Sequence, residues 1–193
     1  MNHSKSFTRI LPFSLVLGIM VLTLYFASFK DQQAIYLGTF GQNWENWSWR
    51  ARVDVANSEN RLTSNTPLKV SLNPWGVFSL HHPDTDTTDF NRLEFYIYVG
   101  KNTDQKLYIS LNDLSNREFK HRIKLPDPRY LEGGKFAVNR WQRVQIPLAE
   151  LDAWQTRITR LNIRVSSKKY SRSFLIDQIS LLGSNYAMNP AAY

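Results

Sequence analysis

The sequence predicts an all-β protein, a two-sheet antiparallel β-sandwich preceded by one N-terminal transmembrane helix. Three observations carry that prediction. From residue 31 onward, short segments of alternating apolar and polar residues recur between turn residues, at the spacing of an all-β sandwich. None of them shows the 3.6-residue apolar period of a long helix. Ahead of them, Ile10 to Phe29 contains no charged residue, and at about 1.5 Å per helical residue it approaches the thickness of a bilayer's hydrocarbon core.

The chain therefore divides into a cytoplasmic N-terminus (1–9), a signal-anchor helix (10–29), the β-sandwich (31–183) and a C-terminal tail (184–193). Lys5 and Arg9 set the orientation by the positive-inside rule, so a single-pass membrane protein with an extracytoplasmic C-terminal domain is expected. A cleaved signal peptide would end in a small-x-small site. Around Ala27 and Ser28 the upstream positions are Tyr25 and Phe26, which favours an uncleaved anchor.

With 42% hydrophobic and 13% aromatic residues, the 193-residue chain has ample material for a packed core and too much for disorder. It has no cysteine, which excludes disulfides, zinc-thiolate sites and thiol nucleophiles. The net charge of +8 favours a negatively charged partner. Lys5, Arg9 and Lys30 flank the apolar segment, however, leaving 21 basic against 16 acidic residues, a mild +5.

The elements follow in order. Ala34 to Leu37 reads as a short strand and Gly38 to Gln42 as a turn. From Trp47 the chain alternates, with Trp47, Trp49, Ala51, Val53 and Val55 on one side, so the two indoles are expected in the core. Trp44 precedes that strand and either locks the core's edge or faces solvent as a flat platform. Leu68 to Leu72 and Gly76 to His82 alternate on either side of an Asn73-Pro74 break, and Pro83 to Asp89 is loop.

Arg92 to Val99 turns Leu93, Phe95, Ile97 and Val99 inward and Glu94, Tyr96 and Tyr98 outward. Lys106 to Asn112 repeats the pattern, with Tyr108, Ser110 and Asn112 outward. Phe119 to Lys124 is a further strand candidate, and Gly133-Gly134 marks a turn. Trp141 to Pro147 is a strand whose phase slips between Trp141 and Val144, as at a bulge. One helical turn, Leu148 to Leu151, follows it. Ile158 to Val165 turns Arg160, Asn162 and Arg164 outward, and Phe174 to Leu182 closes the domain.

Several of these segments resemble the galactose-binding-like jelly-roll domains found among carbohydrate-binding modules. The likeness is carried by Asn43-Trp44-x-x-Trp47-Ser48-Trp49, Trp75-Gly76-x-x-Ser79-Leu80-His81-His82, Leu93-x-Phe95-x-Ile97, Trp141-x-x-Val144-x-Ile146-Pro147-Leu148 and Ile176-Asp177-x-Ile179-x-Leu181. It covers about Ile35 to Leu182. It implies a jelly-roll sandwich and a non-catalytic domain that binds a polysaccharide or other glycan. It also implies one structural calcium ion, to which Asp177 of the closing strand would contribute. The other function this fold accommodates is a scaffold that holds an envelope protein without sugar.

Sugar rings stack their C–H faces on aromatic rings, and their hydroxyls need planar polar partners. The outward residues Glu94, Tyr96, Tyr98, Tyr108, Ser110, Asn112, Arg160, Asn162 and Arg164 supply both kinds of group if their strands share a face. Otherwise they only cover a sheet with amphipathic stems. Trp44 and Trp75, at loop boundaries, are the alternative stacking platforms.

Lys120, Arg122, Lys124, Lys168, Lys169 and Arg172 suit an acidic glycan, whereas the expected location beyond the membrane argues against nucleic acid. His81 and His82 are adjacent on a strand, point to opposite faces and cannot share a metal. Residues 82–89 lack the glycine and terminal glutamate of an EF-hand. No nucleophile elbow, phosphate loop or zincin helix is present, and no carboxylate pair stands in a catalytic motif.

Overall fold

The computed structural model describes residues 31–63, 65–165 and 170–184. The expected cytoplasmic segment, the membrane segment Ile10–Phe29 and the tail beyond Ser184 lie outside the described residues. Among the described residues no helix is long and apolar enough to cross a membrane.

Ten strands run in chain order: β1 (Gln32–Tyr36), β2 (Glu45–Asn46), β3 (Trp49–Asp54), β4 (Leu68–Asp86), β5 (Arg92–Tyr98), β6 (Leu107–Asn112), β7 (Ile123–Leu125), β8 (Trp141–Pro147), β9 (Arg157–Val165) and β10 (Phe174–Leu182). A single 3-10 turn, Leu148–Leu151, follows β8. All recorded pairings are antiparallel.

The long strand β4 belongs to both layers. Its first three residues, Leu68 to Val70, pair with β10, which pairs with β5 and so with β8, while β1 lies along the rest of β10. Its second half pairs with β9, then β6, then β7, with β2 on its free edge. We call the first group the back sheet and the second the front sheet. The inward residues of both fill one core. Leu93, Phe95, Ile97, Val144, Ile146, Ile176 and Leu181 come from the back, and Phe78, Leu80, Leu107, Ile109, Leu111, Leu161 and Ile163 from the front.

Two bulges change which side chains reach solvent. Between Trp49↔Val77 and Ala51↔Leu72, β3 advances two residues while β4 advances five. Arg50 and Trp75 take up the difference in left-handed conformations, φ 49° and 66°. There is no room for a side chain between them, since a Cβ on Gly76 would lie 2.3 Å from the Arg50 carbonyl oxygen. A break of this kind turns the residues on one side of it to the opposite face. Ala51 and Val53 still pack on the core, but Trp49 is 59% exposed and Trp47 46% exposed. The expectation that both indoles lie in the core is corrected.

Two more expectations change. The Asn73-Pro74 break interrupts the register without ending the strand, and β4 continues through Pro83 to Asp86. The predicted bulge in β8 is absent, because its register against β5 is continuous from Trp141↔Tyr98 to Arg92↔Pro147. Gln142 occupies the inward position instead. Its amide is satisfied by donating to the Glu132 and Lys135 carbonyls (2.7 and 2.9 Å) and accepting the Ala137 N–H (2.7 Å), which fixes the loop beside it.

Candidate functional site

The two sheets separate the outward residues that the sequence grouped together. Glu94, Tyr96 and Tyr98 are on the back sheet, and Tyr108, Asn112, Arg160 and Arg164 on the front sheet. The two sets therefore do not share a face. On the back sheet, Glu94 (8%) and Tyr96 (7%) are buried, and Glu94 accepts a hydrogen bond from Gln145 at 2.7 Å. Tyr98 is half-buried against Trp141, whose indole donates to the Asn60 carbonyl. These three residues form a covered face, so their assignment to the same ligand-facing surface as Tyr108 is corrected. Trp44 is also removed from the platforms. Its indole lies in the core at 3% exposure, folded inward by the turn in which the backbone N–H of Trp44 donates to the Gly41 carbonyl.

The front sheet carries an open polar face with a fixed pattern. Across it, Asn112, Arg160, His81 and Glu45 form one cross-strand row, Ser110, Asn162 and Ser79 a second, and Tyr108, Arg164, Val77 and Trp49 a third. Beneath the larger side chains runs a chain of hydrogen bonds. The Asn112 amide donates to the Asn116 carbonyl (2.8 Å), Asn162 donates to Asn112 (2.7 Å), and the Ser79 hydroxyl donates to Asn162 (2.9 Å). Each amide thereby has a set orientation, which a solvated asparagine lacks.

Aromatic rings stand over this floor at both ends. Trp47 stacks on His81 with ring centroids 3.7 Å apart and planes 11° from parallel. Its indole N–H donates to Glu45 (2.8 Å), and the Arg160 guanidinium carbon lies 5.0 Å from its ring. Burial, followed by the Arg160 charge, holds His81 below the usual histidine range. At the other end Trp75, 59% exposed, borders a cavity of about 290 Å³ with Tyr108, Arg122 and Arg164. Arg122 and Arg164 both pair with Glu118, at 2.8 and 3.0 Å, so that carboxylate orients two guanidiniums.

Of the residues expected from the sequence, the front face brings together Trp75, Tyr108, Asn112, Arg160 and Arg164, and with them stand Trp47, Trp49, His81 and Glu118, which the alternation did not place there. The signal for the two tryptophans was present in the Asn73-Pro74-Trp75-Gly76 turn. A loop-out in β4 requires a matching irregularity in the strand beside it.

Asp177 lies on the back sheet, fully buried, at a bulge where Gln178 has φ 50°. One carboxylate oxygen accepts the Gln178 N–H (2.7 Å), and the other is buried without a partner. Burial raises its pKa, and burial together with the nearby Asp177 charge pushes Tyr36 up to about 12. An orphaned buried carboxylate oxygen suits a cation. Calcium takes six to eight oxygens, and among the described residues no three His, Asp or Glu side chains converge. The other ligands would therefore be backbone carbonyls and water.

This combination of a two-layer antiparallel sandwich and an aromatic, hydrogen-bonded sheet face belongs to the class of β-sandwich binding modules. The chain itself belongs to the carbohydrate binding domain 30 family, whose model matches residues 26–182. Among solved structures, a single-site variant of the family 29 module CBM29-2 is similar over 82% of this chain and 98% of that one, with 10% identity and a TM-score of 0.51. At that identity the likeness bears on the fold alone. The family 11 module from Clostridium thermocellum in complex with a β-1,3-1,4-mixed-linked tetrasaccharide aligns over 79% of this chain and 95% of that one, at 16% identity and a TM-score of 0.49. Among curated proteins no sequence match was found.

Proposed function

We propose that this protein is a single-pass, membrane-anchored extracytoplasmic domain that binds polysaccharide, without catalysis of its own, along the outer face of its front sheet. The observation that supports this most is the placement of exposed Trp75 beside Tyr108 at one end of the face and of Trp47 on His81 at the other, with a chain of oriented amides and guanidiniums between them. Rings and fixed planar donors are the two things a sugar needs. Arg160 and Arg164 are four residues apart on one strand, about 13 Å, so the aromatic groups at the two ends suit an extended chain better than one terminal sugar. Membership of a carbohydrate-binding family supports glycan as the ligand class and binding as the activity.

The anchor is Ile10–Phe29, supported by its lack of charge and by Lys5 and Arg9 before it. The family match begins at residue 26, so most of the span precedes the binding domain. A structural calcium at Asp177 is part of the same proposal, supported by the unpartnered carboxylate oxygen. Two experiments test the reading. Protease shaving of spheroplasts should release the domain from the membrane, and a soluble product starting near residue 28 would overturn the anchor. A polysaccharide panel should show retention that Trp75→Ala weakens, and retention on no glycan would overturn sugar binding.

A further inference from the structure

The aromatic groove continues past Tyr108. On the far side of that ring lies a second cavity of about 560 Å³, and the two cavities share Tyr108 and Val165 in their walls. Their electrostatics differ. In the first, Arg122 and Arg164 are tied to Glu118. In the second, Lys106, Lys124 and Arg172 stand against a single carboxylate, Asp104. Among the described residues neither lysine has an ion-pair partner, whereas Arg172 donates to the Asn102 side chain at 3.0 Å.

Two further features distinguish this cavity from an ordinary solvated basic surface. Lys124 is the direct cross-strand partner of Tyr108, so a cation and a stacking ring stand side by side. Gln105 lines the same wall, and both atoms of its side-chain amide are buried without a hydrogen-bond partner. An amide left that way is costly, and a bound anion that accepts from its NH2 group removes part of the cost.

We propose that this second cavity is a subsite for an anionic substituent of the glycan, a carboxylate or a sulfate ester. Lys106 and Lys124 hold the charge, the Gln105 amide donates a hydrogen bond to it, and the adjoining sugar ring stacks on Tyr108. Two ammonium groups on flexible stems act as point charges that follow the substituent and impose no bidentate geometry. The inference rests on the polysaccharide-binding reading above and adds the chemical class of the chain.

The test uses the full chain in detergent micelles, captured on a sensor surface. Hydroxyethylcellulose is compared with carboxymethylcellulose and cellulose sulfate, and methyl-esterified pectin with polygalacturonate. Within at least one set an acidic member should bind more tightly than the neutral one, by roughly two- to tenfold, the scale of two exposed ion pairs. That excess should disappear as salt shortens the screening length below about 8 Å, and it should disappear in the Lys106→Gln/Lys124→Gln variant, whose neutral-glycan binding and melting temperature stay as in the wild type. Which acidic member is preferred separates carboxylate from sulfate. Acidic members bound no better than their neutral counterparts in both sets, or an excess that survives the double variant, overturn the subsite while leaving polysaccharide binding intact. Binding to none of the five polymers overturns both.

Discussion

The outer faces of the two sheets begin from the same sequence pattern, a strand with Tyr at alternate outward positions, and end in opposite conditions. Tyr96 on the back sheet is buried at 7% exposure beside buried Glu94, whereas Tyr108 on the front sheet borders an open groove. What differs is the neighbourhood. On the back sheet a loop brings the Asn60 carbonyl to Trp141 beside Tyr98, while the front sheet meets the break at Arg50 and Trp75, next to which Trp49 and Trp75 stand exposed. An outward tyrosine therefore becomes a binding residue or a packing residue according to what the loops do.

The largest expected effects are on stability. Truncating a buried large aromatic costs about 3–5 kcal/mol, and a domain of this size loses roughly 2–4 °C of melting temperature per kcal/mol. Trp44→Ala and Tyr96→Ala should each lower the melting temperature by about 10 °C. Trp47→Ala, Trp49→Ala and Trp75→Ala should lower it far less. A thermal melt in which Trp75→Ala falls as far as Trp44→Ala would remove the distinction between the faces.

The next effect is on binding. A stacked ring contributes about 0.5–1.5 kcal/mol beyond area burial, so Trp47→Ala or Trp75→Ala should weaken polysaccharide binding by roughly two- to twelvefold. Tyr98→Ala, on the back sheet, should leave the dissociation constant unchanged. Titration calorimetry on any retained glycan decides this, and a loss for Tyr98→Ala equal to that for Trp75→Ala would place the ligand elsewhere.

Most of the framework was legible because alternation is a local property. The sequence places β8 at Trp141 to Pro147 and β10 at Phe174 to Leu182 with the observed limits, and β5, β6 and β9 within one residue at each end. The opposed directions of His81 and His82 were legible for the same reason, since one stacks on Trp47 and the other leans on Trp44. Which sheet each strand joins was not legible. That depends on β4 passing between layers, and nothing in its alternation marks the residue where it changes partners. The fates of Trp44, Trp47 and Trp49 were hidden by positive-φ residues, Asn43 and Arg50, which reset the phase that periodicity assumes.

A smaller effect belongs to the covered face. Asp177 has its pKa raised by burial. Its contribution to stability is therefore fully present below the ordinary carboxylate pKa and is lost as pH rises through the folded-state value. Asp177→Asn keeps the acceptor for the Gln178 N–H and carries no charge, so it should match the wild type in acid and exceed it in melting temperature near neutral pH. Calcium should reverse that order by binding only the folded wild type. A wild-type melting curve unmoved by calcium or by chelator takes the ion out of the proposal.

The smallest effect compares the two histidines directly. Both have pKa values lowered chiefly by burial, with Arg160 acting further on His81. For a base lowered in this way, stability is present above the unfolded pKa of about 6.5 and is lost as pH falls through the folded-state value. Part of the cost at His81 is offset, because a protonated imidazole against the Trp47 indole gains cation–π attraction. His82 lies near Trp44 at 5.2 Å in a tilted arrangement, with its Nδ1 accepting the Asp84 N–H at 3.1 Å. In an Asp177→Asn background, which removes the opposing carboxylate, melting temperatures between about pH 7.5 and about pH 5 should therefore fall slightly, and less when either His81→Asn or His82→Asn is added. Glycan binding should separate them, since only His81 supports an exposed ring. His81→Ala should weaken polysaccharide binding at neutral pH, and His82→Ala should leave it unchanged while lowering the melting temperature through Trp44. Equal binding losses in the two variants would show that the front face does not act through the Trp47–His81 stack.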